Sequence, residues 1–260
     1  MTEVELQIEA QIAEITLTRP EKLNAITSKM AAEIERICVE VDRNEAVRAV
    51  LVKGAGSRAF SAGSDLESLA AYSSSWEFRN RIEYATAFRN LRKPVIAALK
   101  GWVLGGGAEI ALAADIRVAD RSARIGFPEV TRGWVGGGGA SQMLPRLVGY
   151  GQAMRLLLTG EPVGVTEALA LGLIEEVVDD GRAEQRAREA CLRLATFSPV
   201  AVQSVKAAVR AALSAPLEAG LRYENELNAL CFHAGEHREG IKAFLEKRAG
   251  ARTNPDQETP

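Results

Sequence analysis

Histidine and cysteine are scarce, with 2 His and 3 Cys in 260 residues. Cys38, Cys191 and Cys231 are odd in number and widely spaced, with no Cys-x-x-Cys, which argues against a disulfide framework and fits reduced thiols buried as small hydrophobes. His233 and His237 have the i, i+4 spacing that suits a metal, with Glu236 and Cys231 near in sequence. They fall at an expected helix break and read better as solvated surface residues, so no metal site is expected. No apolar run approaches the length of a bilayer span, and the start, Met-Thr-Glu-Val-Glu-Leu, lacks a basic region followed by an apolar core. The expectation is therefore no membrane partner, no signal or transit peptide, and a cytoplasmic location. Neither charge sign is in excess: 32 Lys and Arg face 34 Asp and Glu, for a net charge of −2. Nucleic acid has no electrostatic reason to be the partner.

Several catalytic signatures are also missing. Gly139-Ala140-Ser141-Gln142-Met143 lacks the last glycine of a hydrolase elbow, and no Gly-Lys-Ser/Thr phosphate loop occurs. Gly54-Ala55-Gly56-Ser57-Arg58-Ala59 matches the dinucleotide fingerprint on paper. The residues after it, Phe60 to Asp65, do not read as a capped helix, and no acid stands about 20 residues on to hold a ribose. A surface turn is the better reading.

What is present is an ordinary globular composition, 47% hydrophobic and 25% charged, long enough for one α/β unit plus an appendage. Val4, Leu6 and Ile8, then Ile15 and Leu17, alternate around a polar break and predict a hairpin closed near Glu9 to Gln11. Thr27 or Ser28 caps a predicted helix with Met30, Ile34, Ile37 and Val41 on one face. Val47 to Lys53 is a strand. Ala70 to Ser75 is a mobile segment before a helix from about Trp76 to Leu91, and Pro94 to Leu99 and Asp115 to Ala119 are strands. Strand, glycine turn and helix recur from Val47 to Val178 and predict parallel strands. Helices are expected at Gly181 to Thr196, Ser198 to Leu213, Pro216 to Phe232 and Glu236 to Arg248, and a disordered tail at 251–260.

The stretch Gly101 to Glu109 carries the chemistry. An apolar strand leads into Gly105-Gly106-Gly107 and an alanine-rich helix with Glu109 at its front. Bare backbone at a helix start leaves N–H groups free to face a ligand, and the helix dipole adds partial positive charge there. A carbonyl oxygen that gains charge during a reaction suits that place, with Glu109 to move a proton. Tight helix-to-sheet packing also explains such glycines, and a glutamate in the first turn also serves the dipole. Ile125-Gly126-Phe127-Pro128-Glu129 puts a second carboxylate after a strand end, and Gly136 to Gly139 is a second glycine run before a helix. Two carboxylates so placed can share a water, one taking its proton and the other delivering one.

Together with motifs spread along the chain, these residues resemble the crotonase superfamily of enoyl-CoA hydratases and isomerases. The motifs are Thr18-Arg19-Pro20-Glu21-Lys22-Leu23-Asn24-Ala25, Phe60-Ser61-Ala62-Gly63-Ser64-Asp65-Leu66, Gly105-Gly106-Gly107-Ala108-Glu109, Phe127-Pro128-Glu129 and Ala243-Phe244-Leu245-Glu246-Lys247-Arg248. The resemblance implies an α/β fold, a spiral of ββα repeats over 1–196 with a C-terminal helical trimerisation region over 197–250, assembled as a homotrimer or dimer of trimers. It implies an acyl-CoA thioester substrate and no separate cofactor, since coenzyme A is part of the substrate. Ser64 and Gly106 match the oxyanion pair, and Glu109 and Glu129 match the two catalytic glutamates. Ala62, Asp65 and Leu66 would line the adenine and pantetheine path, with Lys22 and Leu23 beside the nucleotide. Phe244 and Lys247 would reach the CoA end from a neighbouring subunit.

The implied reaction is water addition to a trans-2-enoyl-CoA, or its reverse, with Glu109 activating water and Glu129 protonating the α carbon. The nearest rival is a double-bond isomerase, which needs one glutamate, and other acyl-CoA lyases and hydrolases share the fold. The family's RNA-binding member uses a lysine-rich helix. Here Ser28 to Asn44 offers only Lys29, Arg36 and Arg43 against several acids. Where hydratases of the family usually show Ile-Pro-Gly-Ala-Gly-Gly, this chain has Trp134-Val135-Gly136-Gly137-Gly138-Gly139, with a large aromatic and no proline, a departure that bears on acyl-chain preference. Gly137 replaces the aspartate that some dienoyl isomerases and dehalogenases use.

Overall fold

The N-terminal alternation folds as an antiparallel hairpin, β1 (Val4–Glu9) and β2 (Ile12–Leu17), in the computed structural model, which describes residues 2–238, 241–242 and 244–245. Ala10 and Gln11 turn it with φ of 48° and 67°, the left-handed pair of a two-residue hairpin loop. α1 (Ser28–Arg43) starts where the Thr27 hydroxyl accepts the Met30 N–H, and it buries Met30, Ile34, Ile37 and Val41, the face that the spacing predicts.

Three strand pairs follow: β3 (Ala49–Gly54) with β4 (Ala59–Ser61), β5 (Val95–Leu99) with β6 (Trp102–Leu104), and β7 (Ile116–Asp120) with β8 (Arg124–Gly126). Each pair sends its first strand to one sheet and its second to another. With β9 (Val163–Gly164) and β10 (Glu176–Val178), the sheet orders are β1-β2-β3-β5-β7-β10 and β4-β6-β8-β9. Pairing is parallel from β2 through β10 in the first sheet and from β4 through β8 in the second. Every residue of β5 is buried, which is why it reads as a continuous apolar run rather than an alternating one.

The helices between are α2 (Leu66–Ala70), α3 (Ser75–Arg79), α4 (Tyr84–Asn90), α5 (Gly106–Ala113), α6 (Ala140–Val148), α7 (Tyr150–Thr159), α8 (Val165–Ala170) and α9 (Ala183–Ala195). All belong to a compact unit, Met1–Thr196. The second unit, Phe197–Pro260, holds α10 (Pro199–Ala212) and α11 (Leu217–Ala234), which pack on each other. Ser198 caps α10 by accepting the Ala201 N–H, with Pro199 at the first position. The helix expected at Glu236 to Arg248 runs out of the described residues, and the expected tail at 251–260 lies wholly outside them.

Three expectations are corrected. The helix expected from Trp76 to Leu91 is two helices, α3 and α4, broken at Asn80 to Glu83. Side chains compete with the helical ladder there: Asn80 Nδ2 donates to the Trp76 carbonyl at 2.7 Å and Glu83 accepts the Ala85 N–H. The segment from Phe60 to Asp65 does lead into a capped helix, α2, because Asp65 accepts the Ser68 N–H at 3.0 Å; at five residues α2 is too short to show a period. Finally, a strand, β6, lies between Gly101 and the triple glycine, so that α5 is launched from the second sheet.

Candidate active site

A cavity of about 620 Å³ opens in the first unit. Its walls come from the Lys22–Ala25 loop, the start of α2, the α3–α4 break, the start of α5, a 3₁₀ turn at Pro128–Arg132, and the segment Trp134 to Gly137. The topology explains this convergence, since β4, β6 and β8 are parallel neighbours and each ends at one of these segments.

Ser64 and Gly106 both line the cavity, and among the described residues neither backbone N–H has a protein acceptor. Ser64 is held in place because its neighbours bond to α1's approach: Ile26 N–H donates to the Gly63 carbonyl at 2.8 Å and Asp65 N–H to the Ile26 carbonyl at 2.9 Å. Gly106 is the first residue of α5, where N–H groups have no intrahelical partner. Gly105 before it has φ of 52°, and a Cβ there would lie 3.2 Å from Glu129 Oε1. The triple glycine also serves packing: a Cβ on Gly107 would sit 2.5 Å from the Ser61 carbonyl oxygen. The packing reading thus applies at Gly107, while the Gly106 N–H is left without a protein acceptor among the described residues.

Glu109, one turn into α5, is 4% exposed. Its Oε1 accepts the Gly138 N–H at 2.8 Å and the Ala140 N–H at 3.1 Å. Burial pushes its pKa from 4.5 up to about 7; the Ala140 and Gly138 N–H bonds oppose this, while the charges of Glu83 and Glu129 add to it. Glu129, on the 3₁₀ turn, also has a raised pKa, again chiefly through burial, with its own N–H and Arg132 opposing. The cavity thus carries two carboxyl groups with raised pKa values, one in the first turn of α5 and one on the 3₁₀ turn.

The glycine run explains its own composition. A Cβ on Gly136 would lie 2.7 Å from Glu109 Oε1, one on Gly138 would lie 2.6 Å from Oε2, and one on Gly139 would lie 2.8 Å from Arg89 Nη1. A Cβ on Gly137 would overlap the Arg81 guanidinium. Bare backbone lets charged side chains close in from both sides. Trp134 packs edge-on against Phe78, ring centroids 5.4 Å apart, and both line the cavity.

Lys22, Leu23, Ala62, Asp65 and Leu66 line the same cavity as the two glutamates. Asp65 is occupied structurally as well: besides capping α2, it pairs with Arg19 at 3.1 Å, and its pKa is lowered first by the Ser68 N–H and then by Arg19. Phe244 is 60% exposed in the second unit, and Lys247 lies outside the described residues. His233 ends α11, and His237 stacks on Phe232 with centroids 4.7 Å apart; among the described residues no three His, Cys, Asp or Glu side chains are grouped to hold a metal. The sequence reading missed Arg81, Glu83 and Tyr84, which line the cavity from the α3–α4 break. Treating residues 76 to 91 as one helix hid them, and the polar residues Asn80, Arg81 and Glu83 were the available signal.

Comparison with known proteins agrees with this architecture. The family model described as enoyl-CoA hydratase/isomerase matches residues 7–253. A short-chain-enoyl-CoA hydratase of Clostridium acetobutylicum is 36% identical over 95% of this chain and 96% of its own. An (E)-benzylidenesuccinyl-CoA hydratase of Thauera aromatica is 33% identical over 95% and 98%. The crystal structure of an enoyl-CoA hydratase from Thermoplasma volcanium superposes with a TM-score of 0.86 at 35% identity, covering 94% of this chain and 97% of that one. The α/β fold, with its paired strands shared between two mostly parallel sheets, is the crotonase fold, and the chain belongs to the enoyl-CoA hydratase/isomerase family.

Proposed function

We propose that the chain is an enoyl-CoA hydratase that adds water across a trans-2-enoyl-CoA, or removes it from the product. The observation that carries this reading is the joint placement of two N–H groups without protein acceptors, Ser64 and Gly106, and two carboxyls with raised pKa, Glu109 and Glu129, on one cavity. A reaction that needs only a single base has no use for the second carboxyl. Named relatives that hydrate enoyl thioesters support it.

The substrate's thioester oxygen takes both N–H bonds, which polarises the conjugated double bond. Glu109, partly ionised near neutral pH, accepts a proton from water as the oxygen attacks the β carbon. The resulting enolate oxygen carries negative charge where the two donors and the α5 N-terminus await it. Glu129, in its protonated form, delivers a proton to the α carbon. Water is thereby added with atoms and charge in balance, and a proton passed from Glu109 to Glu129 through solvent resets the site. Coenzyme A enters and leaves with the substrate, so the scheme requires no other cofactor. Lys22, Leu23, Ala62, Asp65 and Leu66 are the residues we assign to the CoA path, with Phe244 and Lys247 contributed from a neighbouring copy.

We also infer a homotrimer or dimer of trimers working in the cytoplasm. α11 has no buried residue and exposes Leu217, Leu221, Leu230 and Phe232, an apolar surface that a second copy would cover. Among the described residues no helix is long and apolar enough to cross a membrane.

The deciding experiment compares hydration of crotonyl-CoA with isomerisation of a 3-enoyl-CoA by the same protein. Hydration should dominate; hydration absent with isomerisation intact would replace this reading by the isomerase one.

A further inference from the structure

We propose that the Tyr84 hydroxyl is a third hydrogen-bond donor to the thioester oxygen, beside the backbone N–H groups of Ser64 and Gly106. The inference rests on the acyl-thioester reading above and adds a side chain to it.

Tyr84 opens α4 and is 7% exposed, yet it lines the cavity. Its oxygen lies 2.8 Å from Ser64 Oγ, and either hydroxyl could be the donor. The pair owns two hydroxyl protons and shares one hydrogen bond, so one proton remains to be given away, and among the described residues neither hydroxyl has another partner. A buried donor left unmet is costly, and both residues line the cavity, where a ligand oxygen can accept it. The phenol is also next to the backbone donor: a Cβ on Gly106 would overlap the Tyr84 oxygen, so that oxygen rests against the Gly106 α carbon. Glycine at 106 thus does more than bare the backbone, because it admits the phenol to the site.

The order of donation follows from acidity. A phenol is a stronger acid, hence a stronger donor, than an alcohol. With Ser64 donating to Tyr84, and Tyr84 donating onward, the stronger donor meets the developing enolate and the two bonds polarise each other. Burial holds the Tyr84 pKa above its ordinary value, so the phenol keeps its proton across the working range.

Butanoyl-CoA labelled with a heavy isotope at the thioester carbonyl tests this by infrared difference spectroscopy. Being saturated, it reports carbonyl polarisation without being hydrated, so its outcome is separate from the crotonyl-CoA assay that tests the reaction. Bound to the wild-type protein, the carbonyl stretch should fall below its value in water. In Tyr84→Phe it should move back part of the way, and kcat with crotonyl-CoA should fall by roughly 100-fold, the lower end for loss of an oxyanion donor, with KM little changed. A stretch in Y84F equal to that of wild type overturns the proposal. Should Y84F fail to fold, fluorotyrosine in place of all 4 tyrosines keeps every hydroxyl while sharpening the donor. The stretch then falls further if Tyr84 touches the carbonyl, and an unchanged stretch overturns the proposal by that route.

Discussion

Replacing Glu109 with glutamine is expected to stop hydration while making the fold more stable above neutral pH. Glutamine keeps the shape of the side chain, and its carbonyl oxygen can still accept the Gly138 and Ala140 N–H groups that Glu109 Oε1 accepts at 2.8 and 3.1 Å. It cannot take a proton from water. General acid–base catalysis typically contributes about 10²- to 10⁴-fold. At about 1.4 kcal/mol per decade, that is roughly 3–5 kcal/mol of transition-state stabilisation. The stability change has the opposite sign. The Glu109 carboxyl has a pKa of about 7 in the fold against 4.5 unperturbed. As pH rises between these values the unfolded chain sheds the proton and the folded chain keeps it, so native stability falls through that window and stays reduced above it. The difference amounts to a penalty on the order of 3 kcal/mol that glutamine does not carry. E109Q and wild type should therefore melt alike in acid, and E109Q should melt several degrees higher at about pH 8. The assays are crotonyl-CoA turnover and thermal melting across pH. An E109Q protein that retains more than about a tenth of wild-type kcat, or that melts lower than wild type in alkali, would refute the reasoning.

In wild type, kcat should fall as pH drops below about 7, because Glu109 must be ionised to accept a proton; Glu129→Gln should cost roughly 100-fold or more in kcat, since it deletes the group that delivers a proton to the α carbon. Gly138→Ala brings a Cβ to 2.6 Å from Glu109 Oε2 and 3.0 Å from the Ala85 Cβ, so steady-state kinetics should show at least a tenfold loss of kcat and denaturant melts a loss of about 1–3 kcal/mol. Asn24→Ala removes a fully buried amide that donates to the Ala55, Ala59 and Phe60 carbonyls and accepts the Arg19 N–H, at a left-handed φ of 54°. Urea titration should show a loss of about 3 kcal/mol, and because Lys22 and Leu23 sit on the same loop, KM for the CoA thioester should rise.

Much of the first unit could be read from residue types alone because the relevant signals are local. The hairpin turn at Ala10-Gln11, the Thr27 cap and the apolar face of α1 each depend on neighbours within a turn or two. The α3–α4 break was not legible in the apolar periodicity. It is set by Asn80 and Glu83 turning their side chains onto nearby backbone, a competition that periodicity does not register. The pairing of β4, β6 and β8 into a second sheet was not legible either, since three-residue strands show no alternation and owe their position to parallel partners far along the chain. For the site, the glycines and glutamates announced themselves, whereas Tyr84 did not, because a tyrosine in a helix looks like core until its hydroxyl is found 2.8 Å from Ser64. The glycine run from 136 to 139 was visible, but its reason, the crowding of Glu109, Arg81 and Arg89 against it, exists only in three dimensions.

Crotonyl-CoA turned over in water enriched in heavy oxygen tests the central claim most directly: that Glu109 sets solvent water onto an enoyl thioester held at Ser64 and Gly106. The account predicts a 3-hydroxybutanoyl-CoA product with the label in its new hydroxyl and the thioester intact. Label appearing in a free acid, or a rearranged enoyl-CoA carrying no added water, would contradict it.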